Sequence, residues 1–370
     1  PARELIAAGV DALIVQDMAL RRMSLPVELH ASTQTAIRTP AEAAFLGSAG
    51  FARVILERAL SLDEIRAICR ATTAEVECFV HGAICVGYSG QCYLSRSMSA
   101  RSGNRGECSQ PCRLSYDLED AAGRRILRGK HLLSVRDLNL ADRLGALIDA
   151  GVTSFKIEGR LKDEGYIRNV VAYYRRRLDE AIASRGDCRR ASRLDFTPDP
   201  AKSFTRGESE YFLMGRSAGV ASFDTPKSVG EFVGRVAACD VRGFTLDRDA
   251  ALAAGDGICI GADGTNVNSV EGRRIAPNRM PASIRPGAAA GGPVAAVGAG
   301  GIMSGHRGKT PFRKSARHDR IAYRPKAHSL SIIKRRRQEI QCKRLQICEL
   351  YGECGGCDDF VIRGFPGGNG

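Results

Sequence analysis

The stretch ARVILERALSLDEIRAICRATTAEVECFVHG, Ala52 to Gly82, decides the fold. It opens on the apolar run ARVILER and closes on EVECFVHG, both rich in Val, Ile, Leu or Phe and both of strand length. Between them SLDEIRAICRAT has helical character, with Ser61 at the N-cap and Glu64 at the capping-box position. A strand, a helix and a second strand imply a parallel pair joined by a right-handed crossover. The same texture extends outward. DALIVQ (Asp11 to Gln16) and VELHAS (Val27 to Ser32) read as earlier strands, and TSFKIEGR (Thr153 to Arg160) as a later one. TPAEAAFLGSAG reads as a helix ending on Gly50, a fitting C-terminal cap. DLNLADRLGALIDAG reads as a helix before TSFKIEGR. DEGYIRNVVAYYRRRLDEAIASRG follows it, with Val170, Val171, Tyr174 and Leu178 at helical spacing.

The predicted class is therefore α/β with a parallel sheet. Polar residues gather at the strands' C-terminal ends: His30, Ser32 and Gln34; Glu57 and Arg58; His81; Lys156, Glu158 and Arg160. In a β/α barrel that end carries the chemistry. An open doubly wound sheet is the alternative. Lys156 lies two residues before Glu158 and shares its face, which makes it a candidate internal counterion. His81, Glu158 and Arg160 are the candidate catalytic residues, each weighed against a purely structural role, and His30 is a weaker candidate.

The chain has 370 residues, room for two or three domains, and 44% of them are hydrophobic. No apolar run approaches the roughly 20 residues needed to span a bilayer. The opening PARELIAAGVDALIVQD lacks the features of a signal peptide. The expectation is a cytoplasmic protein without a membrane partner. The first residue is Pro and the chain opens mid-pattern, so a missing N-terminal portion is expected as well. Thirteen cysteines in such a compartment point to metal binding or thiol chemistry rather than disulfides. The net charge of +14 is concentrated between Arg307 and Arg344, which makes it a weak pointer to nucleic acid.

Texture changes divide the chain into 1–186, 187–286 and 287–370. In the second part Phe232 to Val236, Gly243 to Leu246 and Gly257 to Ile260 read as strands of a small antiparallel β-barrel. The third part is low in complexity and basic, and is expected to be disordered or non-native, as a shifted reading frame in GC-rich DNA would produce. Its Cys342, Cys348, Cys354 and Cys357 are a candidate second metal site, and KRRR (Lys334 to Arg337) reads as a solvated arm.

Four further cysteines lie in HGAICVGYSGQC (His81 to Cys92) and RSGNRGECSQPCR (Arg101 to Arg113). Cys108 and Cys112, spaced C-x3-C, suit zinc; Cys85 and Cys92, spaced C-x6-C, are too wide for a zinc knuckle. Looped spacing rich in Gly and Ser suits an iron–sulfur cluster, whose sulfurs accept backbone N–H bonds. Both groups stay open on spacing alone. Arg101, Arg105 and Arg113 are placed to hold phosphate, to offset thiolate charge, or to do both. Cys69, Cys78, Cys188, Cys239 and Cys259 read as packing residues.

HGAICVGYSGQC, NRGECSQPCR and SFKIEGRLKDEGYI resemble the signature segments of the collagenase-like peptidase family U32. KHLLSVRDLN, GALIDAGVTSFKIEGR, FTRGESEYFLMGR and SFDTPKSVGEFVG are similar to the family's branch of bacterial ribosomal RNA hydroxylases that make 5-hydroxycytidine. The resemblance runs from about Asp11 to about Pro286. It implies a partial TIM-like β/α barrel, with the fourth to eighth strands present and no counterpart here to the first three. It implies that Cys85, Cys92, Cys108 and Cys112 hold a [4Fe–4S] cluster between the seventh and eighth strands, zinc being the alternative. It also implies RNA as substrate, prephenate as co-substrate, iron–sulfur assembly machinery as a partner, and hydroxylation of cytidine at C5. Peptidase activity is the second reading, although no HExxH or GxSxG is present and Ser89 has no assignable base. An inactive RNA-binding remnant is the third.

Overall fold

The computed structural model describes residues 1–186, 192–240 and 243–250, and beyond these only the backbone of short strands between 257 and 363. In chain order the elements are α1 (Ala2–Ala7), β1 (Ala12–Val15), α2 (Ala19–Arg22), β2 (Glu28–Ala31), α3 (Pro40–Ser48), β3 (Arg53–Ile55), α4 (Leu62–Ala71) and β4 (Glu75–Gly82). The cysteine-bearing insertion follows, with α5 (Leu94–Ser99) and the hairpin β5 (Tyr116–Glu119) and β6 (Arg125–Lys130). The chain then runs through β7 (Asp137–Asn139), α6 (Leu144–Ala150), β8 (Ser154–Glu158), α7 (Glu164–Ala183), β9 (Glu208–Ser209), β10 (Glu231–Asp240) and β11 (Gly243–Leu246).

Strands β1, β2, β3, β4 and β8 are all parallel and adjacent in that order, with Leu13 opposite Leu29, His30 opposite Arg53, Val54 opposite Val76 and Cys78 opposite Phe155. The order contains no reversal, so the sheet has no switch point of the doubly wound kind. That order is consistent with part of a β/α barrel. The strands are nearly continuous apolar runs because both faces are covered. Leu13, Val54, Ile55, Val80, Phe155 and Ile157 are buried, and helices pack Ile65, Ile68, Leu144, Leu147, Val170 and Leu178 against them. Each such side chain contributes about 1.5–3 kcal/mol when fully buried. Helices start where the sequence places them. Thr39 and Ser61 each close a capping box, with Glu42 and Glu64, and Gly50 follows α3 at φ +90.

A charged layer crosses the sheet interior. Arg53 donates to Glu77 at 3.1 Å and to Glu75 at 2.9 Å, Ser154 Oγ donates to Glu77 at 2.7 Å, and Lys156 Nζ lies 3.8 Å from Glu77. Lys156, expected as an internal counterion, is buried beside the Glu77 carboxylate of the neighbouring strand. Glu158 pairs with Arg58 at 3.0 Å. A charge buried this deeply is tolerable only when paired and hydrogen-bonded.

One expectation changes. DLN is not the start of a helix but strand β7, antiparallel to β4 through His81 and Asn139 and parallel to β9; the α-helix is confined to Leu144–Ala150. The strands expected at Phe232 to Val236, Gly243 to Leu246 and Gly257 to Ile260 are present and pair antiparallel, β10 bonding both β11 and the strand 293–297. Within the third part, Ser331–Ile333 pairs antiparallel with β1 and Asp359–Arg363 with β8, so both lateral edges of the parallel sheet are bonded. Cys188, Cys342, Cys348, Cys354, Cys357 and the KRRR run lie outside the described residues. Among the described residues no helix is long and apolar enough to cross a membrane.

Candidate active site

The insertion between β4 and β7 folds back over the C-terminal ends of the strands, and specific contacts hold it there. Gly90 (φ +75) comes so close to the end of β2 that a Cβ on it would stand 2.0 Å from the Gln34 carbonyl oxygen. The Ser89 N–H donates to the buried Glu57 carboxylate at 3.0 Å. Arg38 lies over the Tyr88 ring at 4.4 Å. Arg113 donates to the Ser134 hydroxyl and to the carbonyls of Val135 and Ile84 at 2.9, 2.6 and 3.1 Å. Arg160, beyond β8, donates from Nη2 to the Gly106 carbonyl at 2.6 Å. Inside the insertion Ser95, Ser99 and Ser109 bond one another, with the Ser95 hydroxyl also reaching the Arg101 carbonyl at 2.7 Å.

This folding brings the four predicted thiols into one neighbourhood. The charge of Cys112 and Cys108 acts on Cys85, and that of Cys108 and Cys92 acts on Cys112. Desolvation is the first cause raising the Cys85 and Cys112 thiols, opposed by Arg58 at Cys85 and by Arg113 at Cys112. Cys85 is nevertheless exposed to solvent. Cys69, Cys78, Cys85, Cys92, Cys108 and Cys112 are all free, so no disulfide staple joins them. The Gln110 N–H donates to Cys108 Sγ at 3.3 Å. Gly87 and Gly103 back onto Cys92 and Cys108, where an added Cβ would lie 3.5 and 3.6 Å from sulfur. Among the described residues no three of His, Cys, Asp and Glu are gathered tightly enough to ligate one metal ion. Thiolates around a single tetrahedral zinc stand roughly 3.8 Å apart, given a Zn–S bond of about 2.3 Å. Cys69 and Cys78 sit apart in the core with thiols raised by burial, Cys69 to about 11, as inert packing residues would be.

His81 lies at the end of β4, buried, with Nδ1 3.3 Å from the Tyr174 hydroxyl and its ring edge-on to Tyr174 at 5.2 Å. That hydroxyl sits 2.7 Å from the Val80 carbonyl and accepts the Leu140 N–H at 3.2 Å. With its proton given to Val80, we assign the imidazole proton to Nδ1, leaving Nε2 as a lone-pair acceptor. Burial pushes the His81 pKa down to about 4, with Asp137 opposing and Lys162 reinforcing the shift. Near neutral pH the ring is therefore uncharged. The Glu158 carboxylate pairs with Arg58, whose guanidinium stacks on Phe79 at 3.6 Å, and also accepts the Arg160 N–H at 3.1 Å. Of the weaker candidates, His30 is buried 3.5 Å from Glu28, and Ser32 caps the short turn Thr33–Thr35.

Sequence reasoning missed Glu57 as a loop anchor, Tyr174 as the partner of His81, and a group formed by Asp137, Lys162 and Arg206. Asp137 accepts from the Arg206 guanidinium at 3.0 Å and from its N–H at 3.1 Å. The signal for Tyr174 was present in its helical spacing, which marks it as buried. Nothing local marks Asp137 or Arg206, which meet only because β9 pairs with β7.

Comparison with known proteins follows the same lines. The model of Peptidase family U32 matches residues 2–221. The 23S rRNA 5-hydroxycytidine C2501 synthase of Escherichia coli (strain K12) is 47% identical over 302 residues, covering 77% of this chain and 46% of that protein. The tRNA hydroxylation protein P1 of Bacillus subtilis (strain 168) is 40% identical over 186 residues, 48% of this chain and 44% of its own length. A protein named collagenase from Porphyromonas gingivalis (strain ATCC BAA-308 / W83) is 31% identical over 227 residues, covering 57% of this chain and 54% of that protein. The chain spans about half the length of these curated relatives. No solved structure gives a significant match.

Proposed function

Because the chain belongs to peptidase family U32, we propose that it is an RNA-modifying hydroxylase, acting in the cytoplasm to place a hydroxyl at C5 of a cytidine in ribosomal RNA. The observation that carries this reading is the thiol-bearing insertion folded against the strand-end residues Glu158 and Arg160, in a chain whose relatives are named for RNA hydroxylation. Cys85, Cys92, Cys108 and Cys112 would hold a [4Fe–4S] cluster, loaded by iron–sulfur assembly machinery. The group fits this donor set: four interacting thiols, one N–H···S bond and glycines against two of the sulfurs. When bound, such a cluster supplies one-electron redox chemistry.

The chain's own groups do the rest. Neutral His81 offers Nε2 to accept a proton, and Tyr174 fixes its tautomer. The Arg58–Glu158 pair holds charge beside Cys85. Arg160 latches the insertion to the end of β8. Prephenate is proposed as the co-substrate. A peptidase needs an activated nucleophile, and the buried Ser89 Oγ has no hydrogen-bond partner among the described residues.

Anaerobic reconstitution with iron and sulfide tests the proposal. The expected product is brown, carries about four irons and four acid-labile sulfides per chain, and adds one oxygen to cytidine in unmodified ribosomal RNA, read by nucleoside mass spectrometry. Cys85→Ser should lose both properties. A colourless protein that takes up one zinc, or gelatin cleavage that survives Cys85→Ser, would overturn it.

A further inference from the structure

We propose that Glu57 and Ser89, beside the half-exposed ring of Tyr88, read the Watson–Crick edge of the target base, Glu57 accepting the exocyclic amine of a cytosine and thereby excluding uracil. The inference rests on the reading of the chain as an RNA hydroxylase and deepens it by assigning the residues that choose the base.

The site lies on the seam where the insertion meets the chain just beyond β2 and β3. Glu57 is only 6% exposed, and one of its carboxylate oxygens accepts the Ser89 N–H at 3.0 Å. The other oxygen takes no hydrogen bond or ion pair among the described residues. Ser89 is 5% exposed, and its hydroxyl has no partner among them either. Arg38 Nε and Gln34 Oε1 lie on the segment that Tyr88 and Gly90 pack against, and they are buried without a partner in the same way. Such atoms are rare in natural interiors, and several along one seam point to a polar ligand that completes their bonds.

Aromatic rings stand beside these groups. The Arg38 guanidinium lies 4.4 Å from the centroid of the Tyr88 ring, which stays 45% exposed. Tyr211, stacked on Phe212 at 4.0 Å, belongs to the same neighbourhood: burial, then the charges of Glu57 and Tyr88, raises its hydroxyl, and Cys85 adds to the shift. The seam therefore adjoins the predicted thiols. The chemistry of its groups selects one base. A carboxylate with a spare lone pair accepts from an amine and repels a carbonyl oxygen. Cytosine presents its N4 amine where uracil presents O4, with N3 beside it as an acceptor. Ser89, next to Glu57 and holding an unused O–H, is placed to donate to that N3. C5 is bonded to the carbon that bears the amine, so a grip on N4 also fixes the atom to be hydroxylated. Tyr88 offers a stacking face to an extruded base, and Arg38 a cation suited to its phosphate.

The test uses the full chain and fluorescence anisotropy with labelled oligocytidylate and oligouridylate of equal length, whose phosphate contacts are the same. Oligocytidylate should bind more tightly by roughly tenfold or more, the discrimination given by a well-made polar contact to one base. Glu57→Gln keeps an acceptor for the Ser89 N–H and adds an amide donor, so it should erase or reverse that preference at an unchanged Tm. Ser89→Ala should weaken oligocytidylate roughly threefold or more while leaving the Tm unchanged or higher, since it removes an unsatisfied buried hydroxyl. Tyr88→Ala should weaken both RNAs alike, because stacking tolerates any base. Should Glu57→Gln fail to fold, Ser89→Ala decides. Equal binding of the two RNAs by the unaltered chain, or an unchanged preference in the folded variants of Glu57 and Ser89, would overturn the assignment. RNA hydroxylation is measured separately by nucleoside mass spectrometry. An active hydroxylase with no Glu57-dependent preference sinks this inference alone; a Glu57-dependent preference in a protein that never modifies RNA sinks the hydroxylase reading instead.

Discussion

Tyr174 brings one hydroxyl to a point where the Val80 carbonyl, the Leu140 N–H, the Asn139 side chain and His81 converge. Removing it leaves buried groups unsatisfied, so Tyr174→Phe should cost about 1–3 kcal/mol in urea unfolding and release the His81 tautomer. His81 itself links stability to pH. Its folded pKa is lowered to about 4 from the ordinary 6.5, so between those values the unfolded chain binds a proton that the folded ring refuses. Stability should therefore fall as pH drops through that window, by at most about 3 kcal/mol. Its contribution is fully present only above pH 6.5. Urea midpoints at pH 7 and pH 4.5 measure the difference, and His81→Gln should shrink it; an unchanged difference would remove His81 from the account.

At the scale of elements, the insertion behaves as a lid tied down at separate points, and its ties differ in kind. Gly90 is steric: a methyl there would meet the Gln34 carbonyl while the backbone holds a positive φ. Gly90→Ala should destabilise the chain by at least about 2 kcal/mol, visible as a lowered Tm. Arg160 is a single charge-assisted tie to Gly106. Arg160→Ala should cost only about 1–2 kcal/mol. The expected signature is normal far-ultraviolet circular dichroism with reduced iron per chain after reconstitution; full iron loading would show that the tie does not support the thiols. The parallel strands, α3, α4 and the strand starts near Gly243 and Gly257 were legible in the sequence because period, caps and apolar runs are local signals. Strand β7 was not. DLN has no strand signature, and it becomes one only because β4 and β9 offer it partners.

The whole molecule carries a net charge of +14. If that charge meets RNA, affinity should fall steeply with salt, with log K declining linearly against log salt at a slope near −0.7 for each single-strand phosphate neutralised. Filter binding between 50 mM and 200 mM salt, on the order of the range in which such slopes are resolved, measures it. A slope near zero would mean that the basic residues do not contact the nucleic acid. The five parallel strands in unbroken order form a wall whose two edges are bonded by short strands of the basic third part, a placement that its composition gave no reason to expect.

By itself the sequence determined the alternation of strands and helices, their caps, the polar strand ends and the spacing of Cys85, Cys92, Cys108 and Cys112, because each depends on residues near one another in the chain. Only the tertiary structure decided that Lys156 faces Glu77, that Glu158 pairs with Arg58, that His81 is held neutral under Tyr174, and that Asp137, Lys162 and Arg206 meet. Those are contacts between residues tens of positions apart, and burial and charge acquire a sign only once the distant partner is in place.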